Sequence, residues 1–179
     1  MLRYYRYENP PLRFSVYEEY LEKNPTAILS ELSTKDHLVQ IIAYCIMPTH
    51  FHLILAQLKQ EGISIFMKNL LNSYTRYFNL KHNRKGPLWQ GRFKSILIET
   101  DEQLLHLTRY IHLNPTSDSL VDNPQDWNYS SYNEYLNLTD DPLCNFQPYL
   151  EINPDTYKTF VEDRQDYQRR LSEIKHLLL

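Results

Sequence analysis

The stretch QIIAYCIMPTHFHLIL, Gln40 to Leu55, decides how this chain is read. Together with Leu38 and Val39 its first part is rich in Ile, Val and Tyr, which predicts a strand from Leu38 to Ile46. Met47-Pro48-Thr49 interrupts it, and His50 to Leu55 then alternates as a second strand. Side chains alternate across a strand, so Phe51, Leu53 and Leu55 point one way and His50, His52 and Ile54 the other. Two imidazoles on one face, with Cβ atoms about 7 Å apart, can hold one divalent metal together. The same pattern also describes one packed and one exposed histidine. A metal needs at least a third ligand, and a hard metal suited to phosphate chemistry prefers oxygen.

Downstream, Phe66, Met67, Leu70, Tyr74, Tyr77 and Phe78 recur at three- and four-residue steps behind Ser64, a plausible N-cap. They predict an amphipathic helix from about Ile65 to Leu80 with Arg76 on its exposed side. Lys81 to Pro87 reads as a basic loop, and Leu88 to Glu99 as a bent strand or hairpin with Ser95 to Ile98 its surest part. Thr100-Asp101-Glu102-Gln103 is a capping box. It opens a helix to about Leu113, ended by Pro115, because a residue before proline avoids the helical region. Tyr110 and Asn114 are four apart and share a face of that helix, with His106 on the same stripe and Leu104, Leu107 and Ile111 on the core side. Asn114 is either a simple helix stop or an amide ligand one turn from Tyr110. Residues 129–136 predict a short helix, 139–154 a proline-containing linker, and Thr156 to Leu178 a final amphipathic helix. Upstream, prolines break residues 1–36, within which Phe14 to Leu21 predicts a short helix.

Composition narrows the function. The chain has 179 residues, a length that suits one ordinary domain with a small appendage. Its three glycines, Gly62, Gly86 and Gly91, cannot build a P-loop or a dinucleotide fingerprint, so no nucleotide cofactor is expected. The longest apolar run, Ile41 to Met47, is far short of the roughly 20 residues that span a bilayer. No membrane association is expected. Cys45 and Cys144 form neither a disulfide framework nor a zinc spacing, and the expected setting is cytoplasmic. Net charge is −3, yet Lys68 to Lys94 holds seven cations and no Asp or Glu. Arg76, Lys81, Arg84, Lys85, Arg92 and Lys94 lie there, interleaved with Tyr74, Tyr77, Phe78, Trp89 and Phe93. Cations neutralise phosphates and aromatic faces stack on unpaired bases, a pairing that suits single-stranded nucleic acid.

Four motifs in order carry a family resemblance: MPTHFHLIL, GPLWQGRFKSILIE, LTRYIHLNP and PQDWNYSSY. Across about Gln40 to Tyr135 the chain resembles the single-tyrosine HUH transposases, in particular their REP-associated branch. The resemblance implies an α+β, ferredoxin-like domain, with an antiparallel sheet carrying the histidine strand and helices packed on one face. It implies an N-terminal segment over 1–37, the transposase domain over 38–138, and a linker and C-terminal helix over 139–179. The family's first strand has no counterpart in MLRYYRYENP, so that strand is expected to be absent.

By the same resemblance, His50, His52 and Asn114 correspond to the metal ligands, for Mg²⁺ or Mn²⁺, and Tyr110 to the catalytic nucleophile. Arg92 lies in a motif of this branch. The implied activity is a DNA transposase, a nickase and ligase of single-stranded DNA hairpins that works through a 5′-phosphotyrosine. A free tyrosine has a pKa near 10 and needs activation by a metal or a base. His106 and His112 are the nearby candidates. The expected DNA contacts are Arg76, Lys81, Arg84, Lys85, Trp89, Arg92 and Lys94. The resemblance leaves monomer and homodimer open. Two other readings compete: a catalytically silent, sequence-specific DNA-binding protein, and an unrelated metal-dependent phosphodiesterase that uses water in place of Tyr110.

Overall fold

In a computed structural model, residues 1–10, 12, 14–24, 30, 32 and 34–168 are described. The fold is α+β. Strands β1 (Val39–Ile46) and β2 (Phe51–Gln57) form a two-stranded antiparallel sheet. Helices α1 (Leu2–Tyr5), α2 (Phe14–Lys23) and α3 (Gly62–Lys81) come from the first half of the chain and its middle. Helices α4 (Asp101–Ser117), α5 (Tyr132–Tyr135) and α6 (Pro154–Glu162) follow. No helix among the described residues is long and apolar enough to cross a membrane. The chain divides into two compact units, one from 1–40 and 56–96, the other from 41–55 and from 97 onward.

In the first unit Tyr4, Tyr17 and Leu32 form a buried cluster flanked by Tyr5, Tyr7, Leu12 and Phe14. The Tyr4 hydroxyl donates to the Leu12 carbonyl at 2.6 Å. Where the resemblance has a first strand, the described residues make a single antiparallel bridge, Tyr7 with His37. Helix α1 packs on α3. Helix α3 starts at Gly62, two residues before the expected Ser64 cap, because Glu61 takes a left-handed φ of 54° and turns the chain into it. A Cβ on Gly62 would collide with the Leu38 carbonyl, which accepts the Leu58 and Lys59 amides. Of the periodic residues only Phe66, Met67 and Leu70 are buried, whereas Tyr74 and Tyr77 are exposed. The apolar stripe therefore serves the first half of the helix alone.

The strand expected at Ser95 to Ile98 is not formed. Those residues carry no ladder, and Ile96 and Leu97 are 73% and 79% exposed. Strand propensity is realised only when a neighbour accepts the pairing.

In the second unit β1 is nearly all buried. The Met47 amide donates to the His50 carbonyl at 2.8 Å and closes the turn to β2. The free edge of β1 is covered by later chain rather than by another strand. Cys45 bridges Ser130, the Ile46 amide donates to Tyr129, and the Asn145 amide donates to Ile41. The Trp127 indole N–H and the Tyr135 hydroxyl take the Ile46 and Ile42 carbonyls. Satisfying these groups disposes of an open sheet edge. The buried Glu134 carboxylate accepts the Leu143 and Cys144 amides and the Tyr44 hydroxyl, which anchors the chain after α5.

Helix α4 opens as its sequence predicts. Thr100 caps it, its Oγ1 accepting the Gln103 amide at 3.1 Å, while Gln103 Oε1 accepts the Glu99 amide. It does not stop at Leu113. It runs through Pro115 to Ser117, with the Thr116 and Ser117 hydroxyls donating to the Leu113 carbonyl and the Asp118 and Leu120 amides to the Asn114 and Pro115 carbonyls. Pro115 removes a single donor, the one that would reach the Ile111 carbonyl, and the helix continues past it. Helix α6 begins at Pro154, with Asn153 Oδ1 accepting two amides. Of the expected Thr156–Leu178 helix, residues 169–178 lie outside the described residues.

Candidate active site

The extension of α4 determines what the site contains. Tyr110, Asn114 and Asp118 follow one another at four-residue steps along one stripe. They line a cavity of about 440 Å³ with His50 and His52 from the β1–β2 turn and β2. His106, Arg109 and Ser117 complete the α4 wall. Arg164, Tyr167 and Gln168, from the chain after α6, line the same cavity, and Gln168 Nε2 donates to the Tyr110 carbonyl at 3.1 Å. All of these belong to the second unit.

The His50 and His52 rings meet edge to face, 4.9 Å between centroids. His52 also meets Tyr110 edge-on, 5.9 Å apart at 78°. Thr49 Oγ1 lies 3.2 Å from His50 Nδ1, so the outer nitrogen of that ring is the one left open. Burial holds the pKa of His52 below its ordinary value, with the His50 charge adding to the effect and Asp118 opposing it. Its imidazole is thus neutral near pH 7, the form that donates a lone pair. Two buried polar atoms here have no partner: His52 Nε2 and Asn114 Nδ2. The two ends of an amide are interchangeable in assignment, so the Asn114 oxygen can occupy the open position. Among the described residues no three His, Cys, Asp or Glu side chains form a cation site by themselves. A divalent ion fits with Asn114 as the third donor, two nitrogens and one oxygen, with His52 Nε2 otherwise unsatisfied and the amide turned to present its oxygen.

The two histidines considered as bases sit differently. His112 is fully buried, its Nδ1 2.8 Å from the Tyr157 hydroxyl and its Nε2 2.8 Å from Ser131 Oγ. Burial pushes its pKa down to about 3. It belongs to the core and does not face Tyr110. His106 does line the cavity, but Arg109 donates to its Nδ1 at 2.7 Å. Its proton is therefore on Nε2, 3.8 Å from the Glu102 carboxylate. Neither ring offers a free lone pair to the Tyr110 hydroxyl.

The seven expected DNA contacts lie in the first unit. Arg76, Lys81, Arg84, Lys85, Arg92 and Lys94 are all exposed. Lys81 donates to the Tyr77 hydroxyl at 3.0 Å, and Arg84 sits over the Phe78 ring while donating to Asn79 Oδ1. Trp89 is half-buried against Tyr74, 5.7 Å between centroids, with its indole N–H on the Leu71 carbonyl. Sequence patterning passes over Arg109, although it precedes Tyr110 in LTRYIHLNP, and over Asp118, because it ends the helix a turn too early. Nothing in the pattern singles out Arg164 or Gln168, and Tyr167 reads there as part of the apolar stripe of the C-terminal helix.

Over 104 residues the chain is 32% identical to a Haemophilus influenzae protein named "Putative REP-associated tyrosine transposase". The match covers 52% of this chain and 58% of that relative, so the chain spans little more than half the relative's length. No solved structure matches it. Residues 9–114 match the family described as "Transposase IS200 like", and the chain belongs to that family of transposases.

Proposed function

We propose that the protein cleaves and rejoins single-stranded DNA at hairpin-forming sites, with Tyr110 as nucleophile. One observation carries this reading. Tyr110 shares a cavity with His52 and Asn114, whose buried Nε2 and amide have no partner, and its ring lies against His52. The Tyr110 oxygen attacks the scissile phosphorus. A bond forms from Oη to phosphorus, the bond to the 3′ oxygen breaks, and the 3′ end leaves as a hydroxyl. The product is a 5′-phosphotyrosine. Reversal by another 3′-hydroxyl joins a new strand with no external energy source. Tyr110 is 43% exposed, so its proton has an exit to water without a histidine base. His50, His52 and Asn114 would hold a divalent cation, Mg²⁺ or Mn²⁺. When bound, the cation supplies Lewis acidity toward the phosphate oxygens. The exposed cations of Lys68 to Lys94 would bind the DNA backbone, with Tyr74 and Tyr77 as stacking faces for unpaired bases.

The test is a denaturing gel after mixing the protein with labelled hairpins from the ends of its own locus and Mn²⁺. A shifted covalent band, lost in Tyr110→Phe and with chelator, is the expected result. Cleavage that survives Tyr110→Phe would mean water is the nucleophile. Binding without any adduct would reduce the protein to a DNA-binding role.

A further inference from the structure

We propose that Arg164, backed by Arg109, is the phosphate-binding pair of the Tyr110 cavity, and that its ligand is one phosphodiester of single-stranded DNA. The inference rests on the functional reading above and gives a role to residues that reading leaves unused.

Both arginines line the cavity, Arg109 from α4 beside Tyr110 and Arg164 from the turn after α6. They are near enough to repel. After burial, the Arg164 charge is the next cause that lowers the affinity of Arg109 for its proton. Neither has an ion-pair partner among the described residues. Asp118, the only carboxylate in the lining among the described residues, already has an interaction of its own. The Asp163 carboxylate offsets part of the repulsion at Arg109 without pairing to either guanidinium, and an anion held between the two relieves the rest. A phosphate is the anion that matches the planar fork of arginine.

The two arginines differ in freedom. Arg109 sits over Phe160, its guanidinium carbon 4.0 Å from the ring centroid, and donates to the Phe160 carbonyl and to His106. It is a fixed charge. Arg164 is exposed, and its guanidinium is 5.7 Å from the Tyr167 ring with no hydrogen-bond partner among the described residues. It keeps its donors open, and so it is the one that would grip the phosphate. The pair would hold a phosphate beside Tyr110 independently of any metal ion.

The probe is thymidylyl-thymidine, which has one phosphodiester and no ambiguity of register. Its uncharged methylphosphonate is the control. Binding is followed in chelator through the ring-proton NMR signals of His50, His52 and His106, which line the cavity. Wild type should bind the charged dinucleotide roughly tenfold more tightly than the neutral one, the scale of one charge-assisted contact. Arg164→Ala should bind both equally weakly, and Arg164→Lys should restore part of the difference. Arg164 is exposed at a turn, so the unchanged NMR spectrum of the core checks that the variant folds. If Arg164→Ala distinguishes the two dinucleotides as well as wild type does, the proposal is wrong. Wild type indifferent to the charge would overturn it too. The Tyr110 covalent gel is read separately: no adduct there would sink the strand-transfer reading while leaving this anion site to stand or fall on the dinucleotides.

Discussion

His112 is a polar residue used as core. Its Nδ1–H donates to the Tyr157 hydroxyl, which donates to Thr108 Oγ1, which donates to the Leu105 carbonyl. Protonating the ring would put a charge into this chain. The folded-state pKa is about 3 and the unfolded one about 6.5. The neutral ring's contribution is therefore complete above pH 6.5 and is lost as pH falls toward 3. Between pH 6.5 and 5 urea unfolding should show wild type losing about 2 kcal/mol more than His112→Gln does. Equal losses would remove His112 from the explanation. Glu134 makes a parallel case. Glu134→Ala strands two amides and the Tyr44 hydroxyl, and should lower stability by about 3 kcal/mol in the same measurement. Spacing puts His106 on the Tyr110 stripe but leaves the side of His112 open, because the partners that bury His112 come from 19 and 45 residues away. His50, His52, Tyr110 and Asn114 are legible as a set only through the motifs around them. Arg164 is not, since an arginine in the turn after α6 has no signature until the cavity exists.

Elements show the same division. The start of α4 can be read because its cap is local, and Thr100→Ala should cost about 1 kcal/mol in thermal or urea unfolding. Its end cannot, because the helix continues through Pro115 to Ser117 at the loss of one donor, where the residue before a proline ordinarily leaves the helical region. Ending the helix early hides Asp118 from the stripe. Helix α3 is expected from its periodicity, but its first residue depends on a contact with Leu38, far upstream on the other side of β1 and β2. Gly62→Ala pushes a methyl group into that backbone carbonyl and should destabilise by about 1–3 kcal/mol, seen as a lower urea midpoint with an unchanged slope. Ser95 to Ile98 has a strand's composition and no strand's neighbour. A propensity describes what a segment can do, and pairing is decided elsewhere in the molecule.

At the scale of the whole molecule, local and long-range bonding separate. Helix α1 is held by bonds a few residues long, whereas Tyr44 and Ser131 are tied to each other across 87 positions. Native-state hydrogen exchange should show the Tyr44, Ile46 and Ser131 amides outlasting those of Tyr4 and Tyr5, since the first three open only when the second unit does. Equal rates would mean that the later chain does not seal β1. The long reach of those bonds also has a consequence for synthesis. His50 and His52 leave the ribosome early, but the segments that cover their hairpin and line their cavity follow over roughly the next hundred residues, a delay of roughly 5–20 s at the usual pace of translation. Throughout most of that interval the nascent chain carries both histidines without a finished wall around them. The cavity is thus complete only once the chain after α6 has been made.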